Sequence, residues 1–239
     1  MTASWKVEAE RALMEASSPS VMTTAMVHTL VTAGRDDGPS PATFTRWISA
    51  MAAAGKLREV IKGVYLNRLG HRDVSPAAAA CWVRTRSVVS LSWVLEQAHI
   101  TNNFGDTITC VIPTESGLAN PRIGDRLTSA GTFRFFAMPA RLVDERAGLL
   151  EDIRDLRFDY ARATPEKALL DWIYLGASGH SRMTRPPMDL DIASLNQPRL
   201  KRLIKRMHLA SQYETWMDRY RAYRADADVR ENSSADLRL

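Results

Sequence analysis

Between residues 45 and 62 the chain carries side chains suited to contact with a polyanion. Thr45, Arg46 and Ser49 lie close together, and Lys56, Arg58 and Lys62 follow at short intervals. An arginine on a helix can grip a guanine edge through two parallel hydrogen bonds or hold a phosphate, and small hydroxyls reach either. The cations beyond it suit backbone phosphates, a contact that is sequence-independent and salt-sensitive. The competing reading is a solvated helix face with idle hydroxyls, and residue types alone leave that open.

Two acidic groupings invite catalysis. Asp189-Leu190-Asp191-Ile192, after Gly176-Ala177-Ser178, imitates the turn and alternating carboxylates with which a nucleotidyltransferase holds Mg²⁺ on one strand face. Pro186-Pro187 ahead and Ala193-Ser194-Leu195 behind point instead to a helix start capped by the aspartates. Glu166, Lys167 and Asp171 suggest a nuclease, but that metal site needs its Glu and Lys one residue apart on a strand. Adjacent residues opening a helix diverge, and helix capping explains them better. His180 stands in a Gly-His-Ser loop without a nucleophile partner, and the five histidines form no H-x-x-x-H pair. Cys81 and Cys110 are far apart in apolar surroundings, as expected of buried thiols. No metal or other cofactor is expected.

The elements that would position the basic residues are legible. Ser40 is a good N-cap and Pro41 suits the first helical position. Phe44, Ile48 and Met51 then recur at helical spacing with Trp47 beside them, opposite a face of Ala42, Thr45, Arg46, Ser49 and Ala53. A corner at Gly55 leads to a hairpin over residues 57–61 and 64–67, turning at Lys62-Gly63. Ahead of it, helices are predicted over residues 5–16, packing through Val7, Ala9, Leu13 and Met14, and over 21–33, packing through Val21, Met22, Ala25, Met26 and Leu30. Gly34 would stop the second, and residues 35–39 form a polar linker. Three helices followed by a hairpin is the order of a winged helix-turn-helix, although helix plus hairpin is also a common piece of an α+β core.

Residues 70–75 read as a linker. Beyond it an alanine-rich helix starts at Ser75-Pro76, and a short β-branched segment over 87–91 precedes a helix over 92–99. Strands are predicted over 107–112 and 131–138, each ended by proline, with a third over 156–160 and a loop over 114–125. A helix over 164–175 and two or three more over 189–225 follow. Among them Leu200, Leu203, Ile204 and Met207 form a stripe opposite Lys201, Arg202, Lys205 and Arg206, a solvated face or a contact for nucleic acid or an acidic partner. The expected fold is α+β: a winged helix-turn-helix over residues 1–70, an α+β domain with a small sheet and a helical end over 75–225, and a polar, frayed tail over 226–239.

A chain of 239 residues with 45% apolar and 25% charged residues suits one large or two small globular domains. A net charge of +5 favours a polyanionic partner. No signal peptide opens the sequence, and no apolar run approaches the roughly 18 residues of a membrane span, so a reducing cytoplasm is the expected location.

Three phrases together resemble the AbiEi antitoxin family, the transcriptional-regulator half of bacterial type IV toxin–antitoxin (abortive infection) systems. Gly55-Lys56-Leu57 with Ile61-Lys62-Gly63-Val64-Tyr65 is similar to the family's "GkL…rGvY" hairpin, and Ser87 to Leu95 to its "yvSh.sAL" helix. Thr164-Pro165-Glu166-Lys167-Ala168-Leu169-Leu170-Asp171 is close to "tPEkALLD". The two long helices ahead of the third depart from the family's more compact start. The resemblance implies a repressor of its own operon that binds inverted repeats in double-stranded DNA. It also implies a C-terminal domain that counteracts a nucleotidyltransferase-like toxin without a stable complex. The alternatives are a metal-dependent nucleotidyltransferase or nuclease using Asp189 and Asp191, and a winged-helix regulator whose second domain senses a ligand or dimerises.

Overall fold

The computed structural model describes residues 5–33, 38–102, 105–117 and 120–236, with side chains as far as residue 226. Three helices build the first core: α1 (Trp5–Met14), α2 (Thr24–Thr32) and α3 (Pro41–Ala53). α3 starts where its capping residues dictate, with Ser40 Oγ accepting the Thr43 N–H, and it buries Phe44, Trp47, Ile48 and Met51. It ends at Gly55, whose φ of +69° gives the corner. In α1 only Ala9 and Leu13 are enclosed; Val7 and Met14, expected to pack, face solvent.

The second predicted helix is corrected at its start. Val21–Thr23 is a strand, β1, and α2 begins only after Thr23, which accepts the Met26 N–H and so caps it. Val27 and Val31 fill its buried stripe, and Ala25 is exposed. The expected stop at Gly34 and the linker as far as Asp37 lie outside the described residues. The hairpin strands are β2 (Leu57–Ile61) and β3 (Val64–Asn67), and β1 joins them in an antiparallel sheet of order β1-β3-β2. Val21 pairs with Leu66 and Met22 with Tyr65. Alternation along the strands sends Met22, Leu57 and Tyr65 into the core with the three helices. Val21, Val60, Val64 and Leu66 point the other way, into the second core.

That second core begins with a 3-10 turn (Pro76–Ala79) running into the short helix α4 (Ala80–Val83). β4 (Val88–Val89), α5 (Ser92–Gln97), β5 (Thr107–Thr114), β6 (Gly124–Thr128) and β7 (Gly131–Pro139) follow, in a four-stranded sheet of order β4-β5-β7-β6. β5 and β7 run parallel and β6 returns antiparallel outside them. β6 falls in and just after the predicted loop: its residues are mostly exposed, so no apolar alternation marks it. β5 continues through Pro113, which lies past the end of its neighbour β4 and needs no hydrogen bond on that side. The strand expected over 156–160 is absent; Leu156 is exposed, and only single bridges form nearby, Val89 to Arg162 and Arg154 to Ala163.

α6 (Ala140–Val143), a 3-10 turn (Glu145–Ala147) and α7 (Leu150–Ile153) lead to α8 (Pro165–Ala177), which is buried along most of its length. α9 (Gln197–Met207) and α10 (Ala210–Asp236) close the chain. The tail expected to fray from residue 226 is, in backbone, the continuation of α10 to Asp236. The fold is thus mixed α+β with two small sheets, as the sequence implied.

Candidate nucleic-acid interface

The face of α3 that turns from the core exposes Ala42, Thr45, Arg46, Ser49 and Ala53. Its two hydroxyls are already engaged. Thr45 Oγ1 donates to the Pro41 carbonyl at 2.9 Å and Ser49 Oγ to the Thr45 carbonyl at 3.0 Å. With their protons spent on the helix, they present lone pairs and would accept from a base amino group more readily than donate to a phosphate. Among the described residues Arg46 gives only its Nε–H, to the Ala42 carbonyl at 3.4 Å, and the other four donors of its guanidinium have no partner there.

The predicted hairpin cations have separate fates. Lys62, at the tip, is exposed and makes no ion pair among the described residues. The tip is anchored beneath it: the Gly63 carbonyl accepts the Thr24 N–H at 2.9 Å, and Glu59 Oε1 accepts the Gly63 N–H at 3.0 Å. Gly63 has a φ of +77° and a Cβ there would sit 3.1 Å from Thr24 Oγ1, so conformation and space both favour glycine. Lys56 is bound to Glu10 at 2.6 Å, a bond that ties α1 to the corner and neutralises the charge. Arg58 is half-buried and donates to the Ser129 carbonyl at 3.3 Å. Lys56 is thus paired with a counter-charge, whereas Arg58, like Arg46, gives one donor to a carbonyl and keeps its charge, and Lys62 stands exposed at the tip.

Ser129 reveals a feature that has no local signal. It occupies the turn between β6 and β7 and lies along the outer edge of β2. Its N–H bonds the Val60 carbonyl at 3.2 Å and its hydroxyl the Glu59 carbonyl at 2.5 Å. Ser20 Oγ likewise bonds Asp159 at 2.5 Å. The sheet carrying Lys62 is consequently clamped between the two cores. Asn67 was missed too: fully buried, it gives Nδ2–H to the Leu13 carbonyl at 2.8 Å and Ser18 Oγ at 3.1 Å, while its Oδ1 accepts the Leu69 and Gly70 N–H groups. An Asn closing a strand carries no signal of burial.

Of the acidic groupings, Glu166, Lys167 and Asp171 join elements of the fold. Glu166 and Lys167 diverge as adjacency on a helix requires. Glu166 accepts the Asn196 N–H at 2.8 Å and pairs with Arg199 at 3.2 Å, so in place of the expected capping of its own helix it secures the start of α9. Lys167 pairs with Asp171, which also accepts Ser90 Oγ at 2.7 Å. That anchors the residue before Leu91, a non-glycine held at a φ of +63°. Asp191 accepts the Ser194 hydroxyl, an interaction that holds its carboxyl below the usual range, and both Asp189 and Asp191 are exposed in non-strand backbone. His180 is exposed as well. No group of three His, Cys, Asp or Glu residues able to hold a metal ion occurs among the described residues.

No helix among the described residues is long and apolar enough to cross a membrane. No family model matches the chain, and no curated protein matches it. The crystal structure of the RV2827C protein from Mycobacterium tuberculosis is similar over 84% of this chain and 71% of its own, at 18% identity and a TM-score of 0.43. A likeness that loose carries neither fold detail nor function to this chain.

Proposed function

We propose that residues 1–70 form a winged helix-turn-helix that reads double-stranded DNA, with α3 in the major groove and the Lys62 turn against the adjacent backbone. One observation carries this reading: α3 is buried along one face by four large apolar residues and presents on the other only small residues and Arg46. A surface of that shape allows close approach to base edges, and its one long cation supplies the donors. The resemblance of the three sequence phrases extends the proposal. The chain represses its own operon as a type IV antitoxin, and residues 75–225 counteract a nucleotidyltransferase-like toxin without a stable complex.

A gel shift on the protein's own upstream promoter, titrated with salt and competed with unrelated DNA, tests the DNA-reading step. Arg46→Ala is expected to cost about 1–3 kcal/mol on the operator and to relax preference at one base pair. Lys62→Ala should weaken all DNA alike and reduce the salt slope by about 0.9. Lys56→Ala, whose charge is already paired with Glu10, should change binding less than Lys62→Ala does. Equal affinity for promoter and competitor would refute autorepression.

A further inference from the structure

A groove of about 840 Å³ opens between the segment 145–152 and α9 in the second unit, remote in sequence from the DNA-reading helix. Its apolar wall is made by Leu149, Leu150 and Leu203. Leu149 and Leu150 are 63% and 47% exposed, which is costly for two consecutive leucines that nothing covers. Gly148 lets that wall approach α9, since a Cβ there would lie 3.2 Å from the Leu203 side chain.

The opposite rim is basic. Arg202, Lys205 and Arg206 stand at i, i+3 and i+4 of α9 and so share one face. Arg202 is bound to Asp152 by two hydrogen bonds, at 2.6 and 3.1 Å, which fixes this side of the groove. Lys205 and Arg206 make no ion pair among the described residues and are exposed. The acids at the groove do not cancel them, because Asp152 is already satisfied by Arg202 and approached by Arg199. Glu145 and Glu151 remain on the segment facing α9, and Glu151 acts on Arg202 rather than pairing with Lys205 or Arg206.

We propose that this groove is a docking site for an acidic amphipathic helix of a protein partner, its apolar stripe against Leu149 and Leu150 and its carboxylates against Lys205 and Arg206. The charge complementarity selects the acidic partner, and the two exposed leucines select one with an apolar stripe. A nucleic-acid strand would satisfy the cations and leave the leucines wet, and the groove lining holds no Phe, Tyr or Trp for base stacking, its one ring being the imidazole of His208. The inference does not depend on the DNA-reading proposal.

The test uses the full chain and fluorescence anisotropy with a labelled helical peptide bearing leucines on one stripe and glutamates on the other. Its lysine counterpart and a single-stranded oligonucleotide serve beside it. The acidic peptide is expected to bind saturably, and Leu150→Glu, at an exposed position, to weaken it by about tenfold or more while leaving the thermal melt unchanged. The double variant Lys205→Glu/Arg206→Glu should lose the acidic peptide and gain the lysine peptide. Equal binding of the two peptides to the wild-type chain would overturn the proposal. So would acidic-peptide binding that both variants leave unchanged, or oligonucleotide binding that Leu150→Glu abolishes. Self-association of the chain that Leu150→Glu removes would also overturn it, by assigning the groove to a second copy.

Discussion

Replacing Lys167 by methionine isolates the energetics of the pair that joins α8 to the loop before α5. Lys167 and Asp171 are 2% and 0% exposed, one helical turn apart. Burial pushes the amine down and the carboxyl up, and each shift is opposed by the partner's charge. Deleting one member of such a pair costs about 3–5 kcal/mol, because the survivor keeps its desolvation without its counter-charge. Here the survivor, Asp171, retains the Ser90 hydroxyl at 2.7 Å and the nearby Arg154 charge, and it can take up a proton. The loss at neutral pH should therefore lie near the lower figure, about 3 kcal/mol.

Proton uptake gives the loss a pH signature. Without Lys167, burial leaves the Asp171 carboxyl with a folded-state pKa above its unfolded value of about 3.9. The folded state then holds more protons than the unfolded one over that interval, so stability falls as pH rises, by up to about 1.4 kcal/mol per unit. The deficit relative to wild type should be least near pH ~4 and greatest at neutral pH. Urea unfolding read by tryptophan fluorescence at several pH values measures it, with Trp172 beside Asp171 as a reporter. The double variant Lys167→Met/Asp171→Leu, which removes both charges, should recover most of the loss. A neutral-pH deficit below about 1 kcal/mol, or a double variant no more stable than the single one, refutes the reasoning.

Three further outcomes can be checked with the same preparations. Asn67→Ala leaves the Leu13 carbonyl and the Ser18 hydroxyl without their buried donor and should cost about 2–3 kcal/mol in a thermal or urea melt; an unchanged midpoint would show those bonds to be immaterial. Gly70→Ala places a Cβ 2.6 Å from the Leu13 carbonyl oxygen, so a loss of about 1–3 kcal/mol is expected, and combined with Asn67→Ala it should be less than additive because both act on Leu13. Cys110 is enclosed, and burial pushes its thiol far up, so iodoacetamide should modify the half-buried Cys81 first and Cys110 only on unfolding; rapid native labelling of Cys110 contradicts its placement.

The clamped hairpin gives the two units a mechanical relation. β3 is buried on both faces, and the Ser129 turn occupies the edge of β2. A shift of β6–β7 would therefore move the strand that leads to Lys62. If the DNA-reading proposal holds, events in the second unit reach the DNA contact through these bonds, and Ser129→Ala is the variant that would loosen them.

The sequence by itself determined the features whose causes lie within a few residues. Ser40 and Pro41 start α3, Gly55 turns the corner, Gly63 makes the hairpin turn and Thr164 caps α8, where its hydroxyl accepts the Lys167 N–H. Each is a local bond or a local φ, legible from its immediate neighbours. Tertiary structure alone decided the rest, because the deciding partner was remote. Val21 leaves its helical pattern to pair with Leu66, and exposed β6 becomes a strand because β7 offers it an edge. The candidate site divides the same way. The exposed face of α3 follows from helical periodicity, whereas Lys56 is paired with Glu10 across 46 residues and Arg58 reaches the Ser129 carbonyl across 71. Spacing along a chain can say which cations share an element; which of them keep their charge for a ligand depends on what the fold brings beside them.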